Sequence, residues 1–235
     1  MNTSTNNNDE DNTARRESDV EFSSTAQGGA LADGMTLVRA VLAPIVAGAI
    51  IWAWPNIAWA CLASVLFALG ALTDWFDDLL GGSEKAPGRA FGWFDDIADS
   101  ILIGAALIAL LYVTDKAGIL GWAFGVPAII YICRDLIVAA IKGFEFSKNG
   151  IPDSKIGDYK NIAAMIGVSL LIASPWLDMV LSRFRASKTD DMMALYANPS
   201  PWIWQIGQGF LWLAAILSVY TAVKYFVRKP AANEA

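Results

Sequence analysis

Four aspartates near the ends of two apolar segments carry most of the chemistry available to this chain: Asp74 and Asp77 in TDWFDDLL, then Asp95 and Asp99 in FDDIAD. A carboxylate at membrane depth is costly unless it meets a cation, so carboxylates grouped there mark a site. On helices, separations of three and four residues stack each pair on one face. Two such helices side by side would bring four acidic oxygen donors to one pocket, the ligand set that hard divalent cations such as Mg²⁺ prefer. Such a pocket predicts a two-metal site for phosphate chemistry. Helix capping accounts for one or two aspartates, and Asp78 and Asp96 suit interfacial water. Capping does not account for two helix-spaced pairs on either side of a short Gly-containing linker.

The elements that must position these residues are membrane spans. The chain has 235 residues, 55% of them hydrophobic, with 10 Trp. Its mean hydropathy of +0.43 is high for a soluble domain. Apolar stretches long enough to span a bilayer fall at about Met35–Trp54, Ile57–Leu80, Phe91–Val113, Leu120–Phe144, Ile156–Val180 and Trp202–Val227. The fold class is therefore all-α: a polytopic membrane protein with six transmembrane helices and both termini on one side. Residues 1–34 are rich in Asn, Ser, Thr, Asp and Glu and lack the apolar core of a secretory signal, so they are expected to be a disordered tail. Residues 35–227 form the transmembrane catalytic domain and 228–235 a C-terminal tail. A second polar break runs from about Leu181 to Pro201. No internal repeat is visible.

Basic residues set the orientation. Of the 17 Lys and Arg, only Lys116, Arg183, Arg185 and Lys188 fall on the side opposite the termini, which predicts cytoplasmic N and C termini. The aspartates then face the cytoplasm. The net charge of −6 comes partly from the tail and the acidic site, and no basic stripe interleaved with aromatics points to nucleic acid. Cys61 and Cys133 lie inside predicted spans without a CxxC partner and read as packing residues. The absence of histidine removes His-based triads and His-ligated zinc, leaving carboxylate, Lys, Tyr or metal-bound water for proton transfer.

Taken together, Asp74, Asp77, Asp95 and Asp99 have the spacing D-x2-D-x17-D-x3-D, which resembles the signature of the CDP-alcohol phosphatidyltransferases, D-x2-D-G-x2-A-R-x8-G-x3-D-x3-D. The words around the aspartates are similar to those of the bacterial phosphatidylglycerophosphate synthase branch of that family. Similarity extends to MTLVRAVLAP with Thr36, Arg39 and Pro44, to CRDLIVAAIK with Arg134 and Lys142, and to SKIGDYKNIAAM with Lys160. It covers the chain from about Met35 to Tyr225. The sequence departs from the pattern at Asp78 where the family has Gly, Gly81 where it has Ala, Gly82 where it has Arg, and Phe91 where it has Gly.

The resemblance implies the family's fold and its reaction, transfer of a phosphatidyl group from CDP-diacylglycerol to an alcohol with release of CMP. It implies two Mg²⁺ or Mn²⁺ ions held by Asp74, Asp77, Asp95 and Asp99, with Asp99 also the general base. The segment holding Asp78, Gly81 and Gly82 would meet the cytidine and diphosphate, with Arg89 or Lys85 supplying the cation that Gly82 lacks. Arg134, Lys142 and Lys160 are cations within or beside spans, and such cations call for an anionic partner. A phosphorylated acceptor would provide one, which favours glycerol 3-phosphate over serine or choline. Another phosphorylated alcohol, such as inositol phosphate, and a catalytically inactive relative are the alternatives. The resemblance also implies a homodimer in the cytoplasmic membrane, in contact with membrane lipids.

Overall fold

The computed structural model describes residues 33–79, 95–145, 155–186 and 202–227, with side chains over 33–73, 97–137, 159–183 and 202–223. Six helices run through them: α1 Asp33–Ala53, α2 Ile57–Leu79, α3 Asp95–Lys116, α4 Trp122–Glu145, α5 Lys155–Ala186 and α6 Trp202–Val227. No strand occurs among the described residues. A helix lies in each of the six expected spans. Of the proposed tails, 1–34 and 228–235, residues 1–32 and 228–235 lie outside the described residues, as does the linker with Gly81, Gly82, Lys85 and Arg89, whereas Asp33 and Gly34 begin α1 and are not part of a disordered tail.

Four segments are long and apolar enough to cross a membrane, Asp33–Ala53, Ile97–Lys116, Tyr159–Arg183 and Trp202–Val223, and Ile57–Thr73 adds a shorter apolar helix. The outer surface agrees with this. Large apolar side chains such as Ile45, Leu69, Ile108, Ile129, Ile166 and Ile216 point outward, where a water-soluble bundle would carry charge. Cys61 and Cys133 are also exposed and unpaired, so they sit on the outer face and not among the packing residues.

Helix α5 continues six residues beyond the expected end at Val180, to Ala186. Hydropathy falls there, but Leu, Arg and Ala are good helix formers, so the backbone carries the helix past the apolar stretch. Pro44, Pro127 and Pro175 lie inside helices, and the carbonyls freed by Pro127 and Pro175 each find a side-chain donor. Pro127 cannot bond back to Ala123, and the Trp212 indole Nε1 donates to that oxygen at 2.9 Å. Pro175 likewise releases Leu171, whose oxygen takes the Ser174 hydroxyl at 3.0 Å. In lipid no water could fill these vacancies, so the side-chain donors keep both helices continuous.

Packing centres on α5, which touches α2, α3 and most extensively α6. At the α5–α6 seam, a Cβ built on Gly167 would stand 3.1 Å from the Gly207 oxygen, and one on Gly207 would stand 2.9 Å from Leu171 Cγ. Small residues let the two backbones approach, the usual means of helix association in lipid. One end of the bundle is aromatic: Trp54 packs on Trp204 and Phe124 on Trp204, and Trp54 Nε1 donates to the Ile172 carbonyl at 3.3 Å. Tryptophan suits the membrane interface. The other end is charged.

Candidate active site

Helix α2 meets α3 at Gly70, where a Cβ would stand 2.7 Å from Leu102 Cδ2 and 3.6 Å from Leu42 Cδ1 of α1. On α2, Gly70, Asp74 and Asp77 are spaced four and three residues apart and form one helical row. On α3, Leu102, Asp99 and Asp95 form the corresponding row, read in the opposite direction. The helices run antiparallel, so the turns beyond the Gly70–Leu102 contact are the C-terminal end of α2 and the N-terminal end of α3. Both aspartate pairs therefore occupy the same end of the bundle, on the continuation of the rows that touch. The side chains of Asp74, Asp77, Asp78 and Asp95 lie outside the described residues, and among those described no group of three or more acidic, Cys or His side chains stands together.

This contact makes a prediction. Gly70→Ile should force α2 and α3 apart and lower activity by about tenfold or more, because misplaced reacting groups lose the benefit of fixed geometry. Leu102→Ala in the same chain should recover much of the loss, by returning the space that the new side chain takes. An effect of Gly70→Ile that Leu102→Ala does not relieve would reject the contact as the element that sets the spacing.

Asp99 is buried and ion-paired with Arg39 Nη1 of α1. Arg39 is wholly buried, as is Thr36 one turn before it. Breaking a buried pair by removing one partner is strongly destabilising, because it leaves a charge in low dielectric. Arg39 entered the sequence reading only as part of the similarity to a first span. The signal that could have placed it beside the aspartates is a charge inside the apolar run TLVRAVLA, which in a membrane needs a partner.

A second cluster joins α3, α4, α5 and α6 around Asp135, which the sequence reading did not single out. Lys160 Nζ donates to Asp135 Oδ1 at 2.9 Å and Oδ2 at 3.1 Å. Arg134 donates from Nη1 to Asp135 Oδ1 at 2.9 Å, from Nε to the Ser218 carbonyl at 2.9 Å, and from Nη2 to Thr221 Oγ1 at 2.6 Å. Ser100 Oγ donates to Asp135 Oδ2 at 3.2 Å. Lys160 also lies over the Tyr131 ring, 5.1 Å from its centroid, and the Tyr131 hydroxyl donates to Asn161 Oδ1 at 3.3 Å. The anionic partner expected for Arg134 and Lys160 is thus present within the protein. Lys142 lies two turns further along α4, with its side chain outside the described residues.

The two clusters meet at consecutive residues of α3. Asp99 is tied to α1 through Arg39 and Ser100 to α4 through Asp135. The structure therefore gathers Asp99, Arg134 and Lys160 at one end of the bundle, with the helix turns that carry Asp74, Asp77 and Asp95. Carboxylates in one row and cations in the next suit a substrate carrying both phosphate and a hydroxyl to be deprotonated.

The chain is 27% identical over 195 residues to a CDP-diacylglycerol–glycerol-3-phosphate 3-phosphatidyltransferase of Salmonella choleraesuis, covering 81% of this chain and 90% of the relative. A relative of the same name from Shigella flexneri is 26% identical over 195 residues, with 81% and 90% covered. The chloroplastic/mitochondrial enzyme 1 of that name in Arabidopsis thaliana is 28% identical over 202 residues, covering 81% of this chain and 60% of the plant protein. A family model described as CDP-alcohol phosphatidyltransferase matches residues 29–220, a range that takes in all four aspartates, Arg39, Asp135 and Lys160, and the chain belongs to that family.

Proposed function

We propose that this chain transfers a phosphatidyl group from CDP-diacylglycerol to glycerol 3-phosphate, forming phosphatidylglycerophosphate and releasing CMP. The relatives' names supply both substrates. The observation that carries the chemistry is the Gly70–Leu102 contact, which sets the two aspartate-bearing helix ends side by side, next to the buried Asp99–Arg39 pair. Oxygen donors from Asp74, Asp77, Asp95 and Asp99 fit two Mg²⁺ or Mn²⁺ ions, whose part when bound is to neutralise charge on the phosphates of the donor lipid.

The chain's own groups do the rest. Asp99 takes the proton of the acceptor hydroxyl as its oxygen attacks the phosphorus of the phosphatidyl group and the bond to the CMP oxygen breaks. Arg39 holds that carboxylate in one position. Arg134, Lys160 and Lys142 receive the acceptor's phosphate. Asp78, Gly81 and Gly82 approach the nucleotide diphosphate, and Arg89 supplies there the guanidinium that Gly82 lacks, since an Arg fork suits phosphate oxygens. The excess of Lys and Arg on the termini's side supports an orientation with the site facing the cytoplasm, in the cytoplasmic membrane, and the family likeness supports a homodimer.

The cations recognise phosphate and do not choose the alcohol, so inositol phosphate is the second acceptor to offer. The test supplies purified protein with CDP-diacylglycerol and Mg²⁺ or Mn²⁺, presents glycerol 3-phosphate, inositol phosphate and serine in parallel, and measures CMP. Release only with glycerol 3-phosphate is expected. No release with any acceptor would identify an inactive relative, and preference for inositol phosphate would replace the acceptor.

Arg134→Ala should raise the KM for glycerol 3-phosphate by about tenfold or more while changing that for CDP-diacylglycerol little, the pattern of a charge lost from one substrate's pocket. Some stability should be lost too, since Arg134 also ties α4 to Ser218 and Thr221. If affinity fell only for the nucleotide lipid, the two pockets would have to be exchanged.

A further inference from the structure

The proposed reaction leaves Asp135 without a role, although it is buried and holds two of the three cations assigned to the acceptor, Arg134 and Lys160. We propose that Asp135 is an internal counter-anion that sets acceptor affinity: it holds Lys160 and Arg134 before the acceptor binds, and yields part of that ion pairing to the acceptor's phosphate. The proposal rests on the reading of Arg134 and Lys160 as the acceptor's cations.

Its geometry is that of a phosphate stand-in. Both carboxylate oxygens accept from Lys160, one also from Arg134, and the other also from Ser100. A phosphate dianion offers more charge and more oxygens to the same donors, and can take a guanidinium in two-point fashion. Arg134 commits one N–H at each of its three nitrogens, so Nη1 and Nη2 each retain a second N–H for an incoming anion. Beside it, Ser218 keeps a wholly buried hydroxyl with no hydrogen-bond partner, although its carbonyl accepts from both Arg134 and Thr221. The buried Ser64, Thr114 and Ser174 all bond back to their own helix. The Arg134 end of the α4–α6 seam therefore has polar capacity that the protein itself leaves unfilled.

Position matters as much as charge. Ser100, which Asp135 accepts from, follows Asp99 directly, so the counter-anion lies close to the proposed base. A small phosphorylated alcohol has its phosphate and its reacting hydroxyl a few bonds apart, and would need both groups near together. With only 7% of its side chain exposed, Asp135 acts on the two cations in an environment that screens little.

The sign of the effect separates this role from a structural one. Asp135→Asn keeps the size and an acceptor oxygen but removes a negative charge from both cations at once. If Asp135 merely braced the helices, the variant would loosen the cations and weaken phosphate binding. As a competing anion, its loss leaves the cations in want of charge, so the variant is less stable without ligand and binds phosphate more tightly.

The test measures glycerol 3-phosphate and inorganic phosphate binding by calorimetry and by ligand-induced shift of Tm, alongside kcat and KM, for wild type, Asp135→Asn, Asp135→Glu and Ser100→Ala. Asp135→Asn should bind glycerol 3-phosphate about tenfold more tightly, with a KM for CDP-diacylglycerol within about twofold of wild type. Asp135→Glu, which keeps the charge, should return affinity toward wild type. Ser100→Ala removes a neutral donor from Asp135, leaves that carboxylate more fully committed to Lys160, and should weaken phosphate binding by about twofold to threefold. This variant decides the matter if Asp135→Asn does not fold. Unchanged or weaker phosphate binding in Asp135→Asn, or unchanged or tighter binding in Ser100→Ala, overturns the proposal. A wild type that releases no CMP but binds phosphate rejects the proposed reaction alone, whereas one that binds no phosphate rejects this proposal as well.

Discussion

Chelation of divalent cations is expected to abolish CMP release, and added Mg²⁺ or Mn²⁺ to restore it. The reason is electrostatic. The helix turns that carry Asp74, Asp77, Asp95 and Asp99 lie at one end of the bundle, and a diphosphate brought there would meet like charge, which repels strongly at short range in a poorly screened site. Arg39 offsets Asp99, but Asp74, Asp77 and Asp95 add three more negative groups on the adjoining turns of α2 and α3. Hard divalent ions would convert that repulsion into binding, since carboxylate and phosphate oxygens both serve as their ligands. Mn²⁺ titration followed by electron paramagnetic resonance gives a readout apart from turnover. Binding should be lost in an Asp74→Asn/Asp77→Asn variant whose helical content is unchanged. Turnover that survives excess chelator would reject the two-metal site.

Much of this arrangement was legible in the residues alone. A run of about twenty apolar residues has few alternatives to a membrane span, so the helices could be placed to within a few residues except where propensity carried α5 past its apolar stretch. The aspartate spacing likewise required only that both segments be helical, which they are. What could not be read are the pairings between distant helices. Nothing in Gly70 announces that it meets Leu102, and a glycine in a span reads first as a tolerated small residue. Asp135 sits beside Arg134 in CRDL, and neighbouring opposite charges suggest a local pair. That Asp135 also takes Lys160, 25 residues away, and Ser100, 35 residues away, depends on how three helices cross. Arg39 was visible as a charge among apolar residues, but its partner 60 residues on was not.

The Arg39–Asp99 pair allows stability and catalysis to be separated. Asp99→Asn is expected to lower kcat by on the order of 10² or more, the scale of losing a general base. It also takes the Asp99 carboxylate away from the wholly buried Arg39, and disturbed packing would add to the loss. Arg39→Leu has the converse effect, leaving Asp99 in place but without that guanidinium, and should cost about 3 to 5 kcal/mol of stability. Replacing both, as Arg39→Leu/Asp99→Leu, removes the two charges together and fills the space with apolar groups. A buried ion pair exchanged for apolar side chains of similar volume is often neutral or stabilising, so the double variant should regain most of the stability lost by Arg39→Leu. Its activity should stay at the level of Asp99→Asn or below. Thermal unfolding in detergent and single-turnover CMP release, measured on all four proteins, read the two properties independently. A double variant that recovered turnover along with stability would assign the proton transfer to another group and leave Asp99 a purely structural anchor for α1.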